Sequence, residues 1–404
     1  MIYNDSKFNK DWPIKRLSEL GVFGRGVSKH RPRNDVALFR GGGYPLVQTS
    51  EVKNSNLYIT RHSMEYNQAG LSQSKLWDSG TLCITIAANI ADTSILSYPM
   101  CFPDSIVGFT ADKKQVSPEY MYYAFAYIKN SILNTVSGSI QDNINLETLE
   151  SLSLRVPEKP YQTKVLSILE SIDKKINNND IIREKLNGLA TTIYEHWFLQ
   201  FDFPDDNGRP YKSSGGEMAY DGVLEREIPK GWKVKDIGNI IKEAKKSSIQ
   251  VNEAKKRPGN YPFFTSGDEI VDFDDFYVDG FNIFLNTGGN ADVKGYYGKS
   301  AYSTDTWCVS ATDYSYLLFI FLCSIKEYLN DNCFAGSGLK HLQKNVLKQI
   351  KIVCPDNAVL ERFNNQVESI YKNISSLQIE NKKLASIRDW LLPMLMNGQI
   401  KVSD

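Results

Sequence analysis

YQTKVLSILESIDKKINNNDIIREKLNGLATTIYEHWFLQFDF, residues 161 to 203, decides how this 404-residue chain is built. Val165, Leu169, Ile172, Ile176, Ile182, Leu186, Leu189 and Ile193 recur in it at spacings of three and four, interrupted only near Asn177 to Asn179. That spacing draws one narrow apolar stripe along a long helix, the seam of a coiled coil. The stretch returns, altered, as VLERFNNQVESIYKNISSLQIENKKLASIRDWLLPMLMNGQI at 359 to 400. There Phe363, Val367, Ile370, Ile374, Leu377, Leu384, Ile387 and Leu391 make the same stripe, with polar Asn381 at a core position. Each stripe needs a cover, and the other copy supplies one. A helix of about 38 residues runs about 57 Å. Antiparallel pairing would put what precedes each helix at opposite ends and suits a pseudo-twofold plan; a parallel pair is the alternative.

Working outward, the duplication takes in nearly the whole chain. Trp12, Ile14, Lys15, Leu17 and Leu20 correspond to Trp232, Val234, Lys235, Ile237 and Ile240. A basic, turn-rich loop follows in each copy. YPLVQTSE at 44 to 51 matches YPFFTSGD at 261 to 268, both extended because the residue before proline is pushed toward β. GTLCITIAANIAD at 80 to 92 parallels GFNIFLNTGGNAD at 280 to 292, and the aromatic helices YMYYAFAYI and YLLFIFLCSI occupy like positions. From 138 to 198 the copies align without a gap, Leu149, Leu152, Leu154 and Pro157 against Leu347, Ile350, Ile352 and Pro355. The expected order is a globular unit at 1 to 160 and a helix at 161 to 200. After a Gly-, Pro- and Asp-rich linker at 201 to 230 come a second unit at 231 to 357 and a second helix at 358 to 402. The class is α/β or α+β.

Hydrophobic residues make up 42% of the chain, enough for more than one core. The net charge is zero, so a polyanion would have to be met by local patches. The six cysteines show no metal-ligand spacing, and the first residues carry no signal pattern, which points to reduced thiols in a cytoplasmic protein. The most apolar run, 316 to 325, is about half a membrane span and reads as a core helix.

Catalytic motifs are wanting. There is no phosphate-binding GxxxxGK[ST] loop, since GSGLK at 336 to 340 is too short, and no cofactor-binding or adenine-methylation motif. The Glu-Ala-Lys triplets at 243 to 245 and 253 to 255 lie in lysine-rich, loop-like surroundings and read as solvated charges. His30, His62, His196 and His341 have no partner at ligand spacing.

The stronger signal is a cationic loop at the same place in each copy. The first carries Arg25, Lys29, His30, Arg31, Arg33 and Arg40 against Asp35 alone; the second carries Lys242, Lys245, Lys246, Lys255, Lys256 and Arg257 against Glu243 and Glu253. Basic side chains among Gly, Ser and Asn suit phosphate contact, and polar side chains nearby can reach base edges. Gln48, Thr49 and Ser50, with Thr265 and Ser266, end the Tyr-Pro segments, and Asn89 and Asn290 sit at matched turns. These are candidate base readers, with turn and capping chemistry as the plain alternative. The Gly- and Ser-rich turns at 137 to 141 and 336 to 340 could approach a backbone closely.

GSIQDNINLETLESLSLRVPEKPYQTKVLSILESIDKKI at 138 to 176, closed by TTIYEHWFLQFDFP at 191 to 204, resembles the specificity subunits of type I restriction-modification systems. The resemblance implies two target recognition domains, 1 to 160 and 231 to 357, separated by two long antiparallel spacer helices. The second copy ends in Trp390-Leu391-Leu392-Pro393 where the first has Trp-Phe. It further implies a non-catalytic subunit that binds a bipartite double-stranded DNA target, each domain reading one half. Partners would be two methyltransferase subunits using S-adenosylmethionine, and restriction-translocase subunits using ATP and Mg. The helix exteriors and the aromatic ends, Trp197, Phe198 and Trp390, are the expected methyltransferase contact, with core packing as the rival reading of those aromatics. A spacer of about 57 Å corresponds to roughly 17 base pairs as an upper guide. A coiled-coil scaffold for protein partners is the other function to weigh.

Overall fold

Asn381 donates its side-chain amide to the Ile176 carbonyl (3.3 Å), and Arg388 reaches Asp173 (2.8 Å). Residue numbers therefore rise along one long helix as they fall along the other. The same sense holds where Asn179 donates to Glu380 (2.8 Å) and where Phe198 meets Phe363 edge-on at 4.8 Å. The pairing is antiparallel, and the parallel alternative is excluded. In this computed structural model, which describes residues 2–87, 91–137 and 146–400, the two helices are Lys159–Tyr194 and Asn357–Met396. Glu195–Leu199 adds a wider π turn to the first.

Both seams keep an unbroken heptad phase. In the first helix it passes through Val165, Leu169, Ile172, Ile176, Asn179, Arg183, Leu186, Ala190 and Ile193; in the second, Arg388 takes the place expected for Ile387. Ile182, Leu189 and Ile387, assigned to the seams from their apolarity, are instead 45%, 49% and 48% exposed. They sit one residue out of phase, and helical geometry outranks hydrophobicity in choosing which residue faces the partner.

The chain condenses into two compact units, 1–178 with 381–404, and 179–380, so that each takes part of both helices. A consecutive division into domain, helix, linker, domain and helix misses this, because each helix end packs with the other copy's core. Trp197 and Phe198 join the core of the second unit. Their repeat equivalents, Leu395 and Met396, join the core of the first, where the Tyr161 hydroxyl donates to the Leu395 carbonyl (3.0 Å).

In the first unit, Ile14–Arg16 pairs antiparallel with Ser153–Arg155 at the foot of the first long helix. The main sheet runs in the order Gly21–Arg25, Ile106–Ala111, Leu82–Thr85, Thr93–Leu96, Tyr58–Ile59. All four residues of Leu82–Thr85 are buried, as expected of a central strand covered on both faces. A second sheet joins Met64–Tyr66, Tyr44–Leu46, Met100–Cys101 and Leu76–Trp77. The second unit repeats the plan. Lys233–Asp236 pairs with Lys351–Cys354, and the main sheet is Lys242–Glu243, Thr306–Ser310, Phe281–Asn286, Val293–Tyr297. In its smaller sheet the Tyr-Pro strand Tyr261–Phe264 runs parallel to Ala301–Tyr302, just as Tyr44–Leu46 runs parallel to Met100–Cys101.

The apolar run forms the core helix Ser315–Ser324, buried on most sides as its composition requires. Among the described residues no helix is long and apolar enough to cross a membrane. The segment at 201 to 230 is not the structureless linker its Gly, Pro and Asp content suggests. It holds the hairpin Met218–Asp221 with Arg226–Pro229, and Phe203 stacks between Tyr211 (4.6 Å) and Trp232 (5.0 Å). Spaced aromatics, which have no period to detect, tie it into the second core.

Candidate nucleic-acid interface

In the first unit the loop from Arg25 to Arg40 folds around an acid that local sequence does not reveal. Asp104, between Met100–Cys101 and Ile106–Ala111, accepts from Arg33 (2.6 Å) and lies 3.7 Å from Arg31; its backbone carbonyl accepts from Arg25 (2.7 Å). Three arginines expected to face only Asp35 thus converge on a residue about seventy positions away. Asp35 instead takes His30 (2.8 Å) and the Ala37 amide, and these two hydrogen bonds, the backbone one foremost, hold its carboxyl below the usual range. The backbone amides of Lys29 and His30 both donate to the Gln73 side chain (2.8 and 3.0 Å). Lys29 and Arg40 are exposed. The loop is thereby an ordered array of guanidinium groups on the surface, the arrangement that recognises phosphate and guanine edges.

Gln48, Thr49 and Ser50 do not end a strand. Thr49–Asn54 is a short helix, and Glu51 accepts from the Gln48 amide (2.7 Å) and the Ser63 hydroxyl (2.5 Å), so capping chemistry claims this segment. Asn89 and positions 138 to 141 lie outside the described residues.

In the second unit a chain of backbone bonds gathers five loops at one end of the sheet. Thr287 N–H, Thr287 Oγ1 and Ser266 Oγ all donate to the Asp305 carbonyl. Gly289 N–H donates to Lys340 O (2.9 Å), Leu342 N–H to Thr287 O (3.0 Å), and Thr304 N–H to Ile249 O (3.0 Å). The cluster brings Lys245, Lys246, Ser266 and Asn290 into one neighbourhood, all but Ser266 exposed. Thr265 is excluded as a base reader: it is buried and donates to Glu269 O (2.8 Å) within its turn. Lys255 pairs with Glu269 (2.7 Å) and so stays near the cluster, with Lys256 exposed beside it. Arg257 pairs with Asp274 (2.9 Å) beyond the opposite end of the same hairpin, away from the turn.

One ion pair recurs in both copies and fixes the matched turns. Lys129, on the aromatic helix Pro118–Ser137, binds Asp92 (2.5 Å), and Lys326, which opens the helix Lys326–Asn332 just after the aromatic one, binds Asp292 (2.7 Å). Burial alone would raise the Asp292 carboxyl, but Lys326 and Lys294 outweigh it and hold it low. The remaining histidines have ordinary partners: His62 lies between Tyr98 and Glu65, and His196 beside Gln200.

Sequence reasoning missed Lys344 and Lys348. Their partner is Glu243, about a hundred residues earlier, which takes Lys348 at 2.5 Å and the Trp307 indole N–H at 2.8 Å. The only local signal is two lysines one helical turn apart after the Gly336 turn.

Of the proposed docking residues, Trp197 and Phe198 are corrected to core positions, 4% and 3% exposed and packed on Phe363 and Trp232. Trp390 is 61% exposed, on the same helical face as exposed Ile387.

Residues 9–187 and 229–388 match the family model described as the type I restriction modification DNA specificity domain. The type I restriction enzyme MjaIX specificity subunit of Methanocaldococcus jannaschii is 24% identical over 98% of this chain and 95% of that protein. The HindI specificity subunit of Haemophilus influenzae is 25% identical over 70% of this chain and 78% of its own. A crystal structure of the S subunit of a type I restriction-modification system from M. genitalium shares the fold across 100% of both chains, with a TM-score of 0.57 at 15% identity.

Proposed function

Because this chain belongs to the type I restriction-modification DNA specificity family, we propose that it is the non-catalytic recognition subunit of such a complex, each unit reading one half of a bipartite duplex target. The observation that carries this reading is one framework built twice and decorated differently. Both units share the order of four main-sheet strands, to which the first adds Tyr58–Ile59, and the same lysine–aspartate pair at the matched turn. The first presents arginines gathered by Asp104; the second presents lysines gathered by Glu243. Two frames of one design with different surface chemistry suit two different half-sites. A protein-binding scaffold would leave this paired cationic decoration without a purpose.

The helices then set the gap between half-sites, and their exteriors dock the methyltransferase subunits. Ile182 and Leu189 lie seven residues apart on one exposed face of the first helix, and Ile387 and Trp390 share a face of the second. Such exposed apolar pairs at coiled-coil spacing suit a helical partner. S-adenosylmethionine would be carried by those methyltransferases, and ATP and Mg by restriction-translocase subunits, in a cytoplasmic assembly.

The test inserts one heptad into both helices at facing levels, which keeps both seams in phase. Seven residues add about 10 Å, or about three base pairs. The gap between half-sites should lengthen by that amount with both half-site sequences kept. An unchanged gap refutes the ruler.

A further inference from the structure

We infer that Lys344 and Lys348 of the second unit form a binding site for a phosphate of the DNA backbone, with Glu243 and Trp307 as its positioning residues. This rests on the DNA-recognition reading and adds residues to it. Lys344 and Lys348 occupy successive turns of the helix Lys344–Lys348, and both ammonium groups lie over the Trp307 ring, at 4.7 and 5.9 Å from its centre. Glu243 accepts from the Trp307 indole and from Lys348, and lies 3.9 Å from Lys344. Two cations thus share one carboxylate, leaving an excess of positive charge over a buried indole.

That excess is unfavourable for the free protein. Burial pushes the Lys344 ammonium down, and repulsion from Lys348 and Lys246 adds to it, against the pull of Glu243. An anion placed between the two lysines would relieve it, and a duplex phosphate, met as a point charge, is what lysines bind.

The fold does not require the cluster. At the corresponding positions the first unit has Leu146 and Glu150 for the two lysines. In its ladders Val107 and Phe23 stand where the second unit has Trp307 and Glu243. The same framework therefore closes without any of these side chains. The cluster's location fits the assignment as well. Lys344 follows directly on the segment whose Lys340 and Leu342 are bonded to the Thr287–Gly289 turn, beside Asn290 and Ser266. Lys246 follows the strand that ends at Glu243.

The experiment uses the chain assembled with its methyltransferase subunits and a randomised duplex pool, with affinity measured across a salt series. Each phosphate contact contributes about 0.9 to the slope of log affinity against log salt. The Lys344→Gln, Lys348→Gln variant should flatten the slope by about one such step, and Lys344→Arg, Lys348→Arg should restore it. A folded glutamine variant with the slope unchanged overturns the site while leaving DNA recognition standing. An unaltered complex that shows no salt-dependent binding overturns both. A measurement on the unaltered protein does not depend on any variant folding: duplex should slow acetylation of Lys344 and Lys348 but not of Lys212, and equal rates with and without duplex overturn the site.

Discussion

Replacing Asp173 by alanine tests what holds the helix pair in register within the first unit. Asp173 is 6% exposed and accepts from the Tyr123 hydroxyl (2.6 Å) and from Arg388 (2.8 Å). Burial disfavours the Arg388 charge, but Asp173, with Asp389 beside it, more than compensates and holds it firmly protonated. Removing the carboxylate strands a largely covered guanidinium and a buried phenol. Breaking a buried pair costs about 3–5 kcal/mol. Asp389 still contacts Arg388, so the lower end, about 3 kcal/mol, is expected. In a unit of this size that is a fall in melting temperature of roughly 6–12 °C. Asp173→Asn keeps an acceptor for Tyr123 and should lose roughly half as much. Calorimetry on the single variants and on the double variant with Arg388→Ala gives the coupling, expected at about 1–3 kcal/mol. Leucine at both positions together with Tyr123→Phe should restore or exceed the original stability, because an apolar cluster avoids the desolvation cost and leaves no buried hydroxyl without an acceptor. A loss below about 1 kcal/mol in Asp173→Ala, or no coupling to Arg388, would refute the reasoning.

The arginine array gives a second expectation. Asp104→Ala should lower base discrimination at the first unit's half-site by about 1–2 kcal/mol, with the other half-site unchanged in competition binding. A uniform loss at both would reduce the loop to general electrostatic attraction. The aromatic ends should separate by burial: Trp197→Ala should destabilise the second unit by about 3–5 kcal/mol. Trp390→Ala should leave the melting temperature within about 1 °C and instead weaken recovery of methyltransferase with the purified chain.

The repeat was legible in the sequence because it is carried by whole elements: the Trp starts, the Tyr-Pro strands, the aromatic helices and the ungapped run into the long helices all survive divergence. Antiparallel pairing followed from that plan. Seam membership was less legible, since Ile182, Leu189 and Ile387 are more apolar than Arg183, Ala190 and Arg388, and only the phase of a continuous helix decides between them. The hairpin Met218–Asp221 with Arg226–Pro229 was hidden because the segment that holds it is tied into the second core by isolated aromatics, Phe203, Tyr211 and Trp232, which have no period. The candidate interface was half visible. Local composition shows that a loop is cationic, but not that Asp104 is brought to the first from about seventy residues away, or that Lys344 and Lys348 are brought to Glu243 in the second. Burial likewise removed Thr265, Trp197 and Phe198, whose residue types alone suit either a surface or a core.

The most direct measurement is selection of bound duplexes from a random pool by the chain assembled with its methyltransferase subunits, followed by sequencing. Two short specified blocks separated by a fixed, unspecified gap are expected, and alanine at Arg31 and Arg33 should erase one block while alanine at Lys245 and Lys246 erases the other. A single continuous motif, or both blocks failing together under either set of changes, would contradict recognition by two independent units.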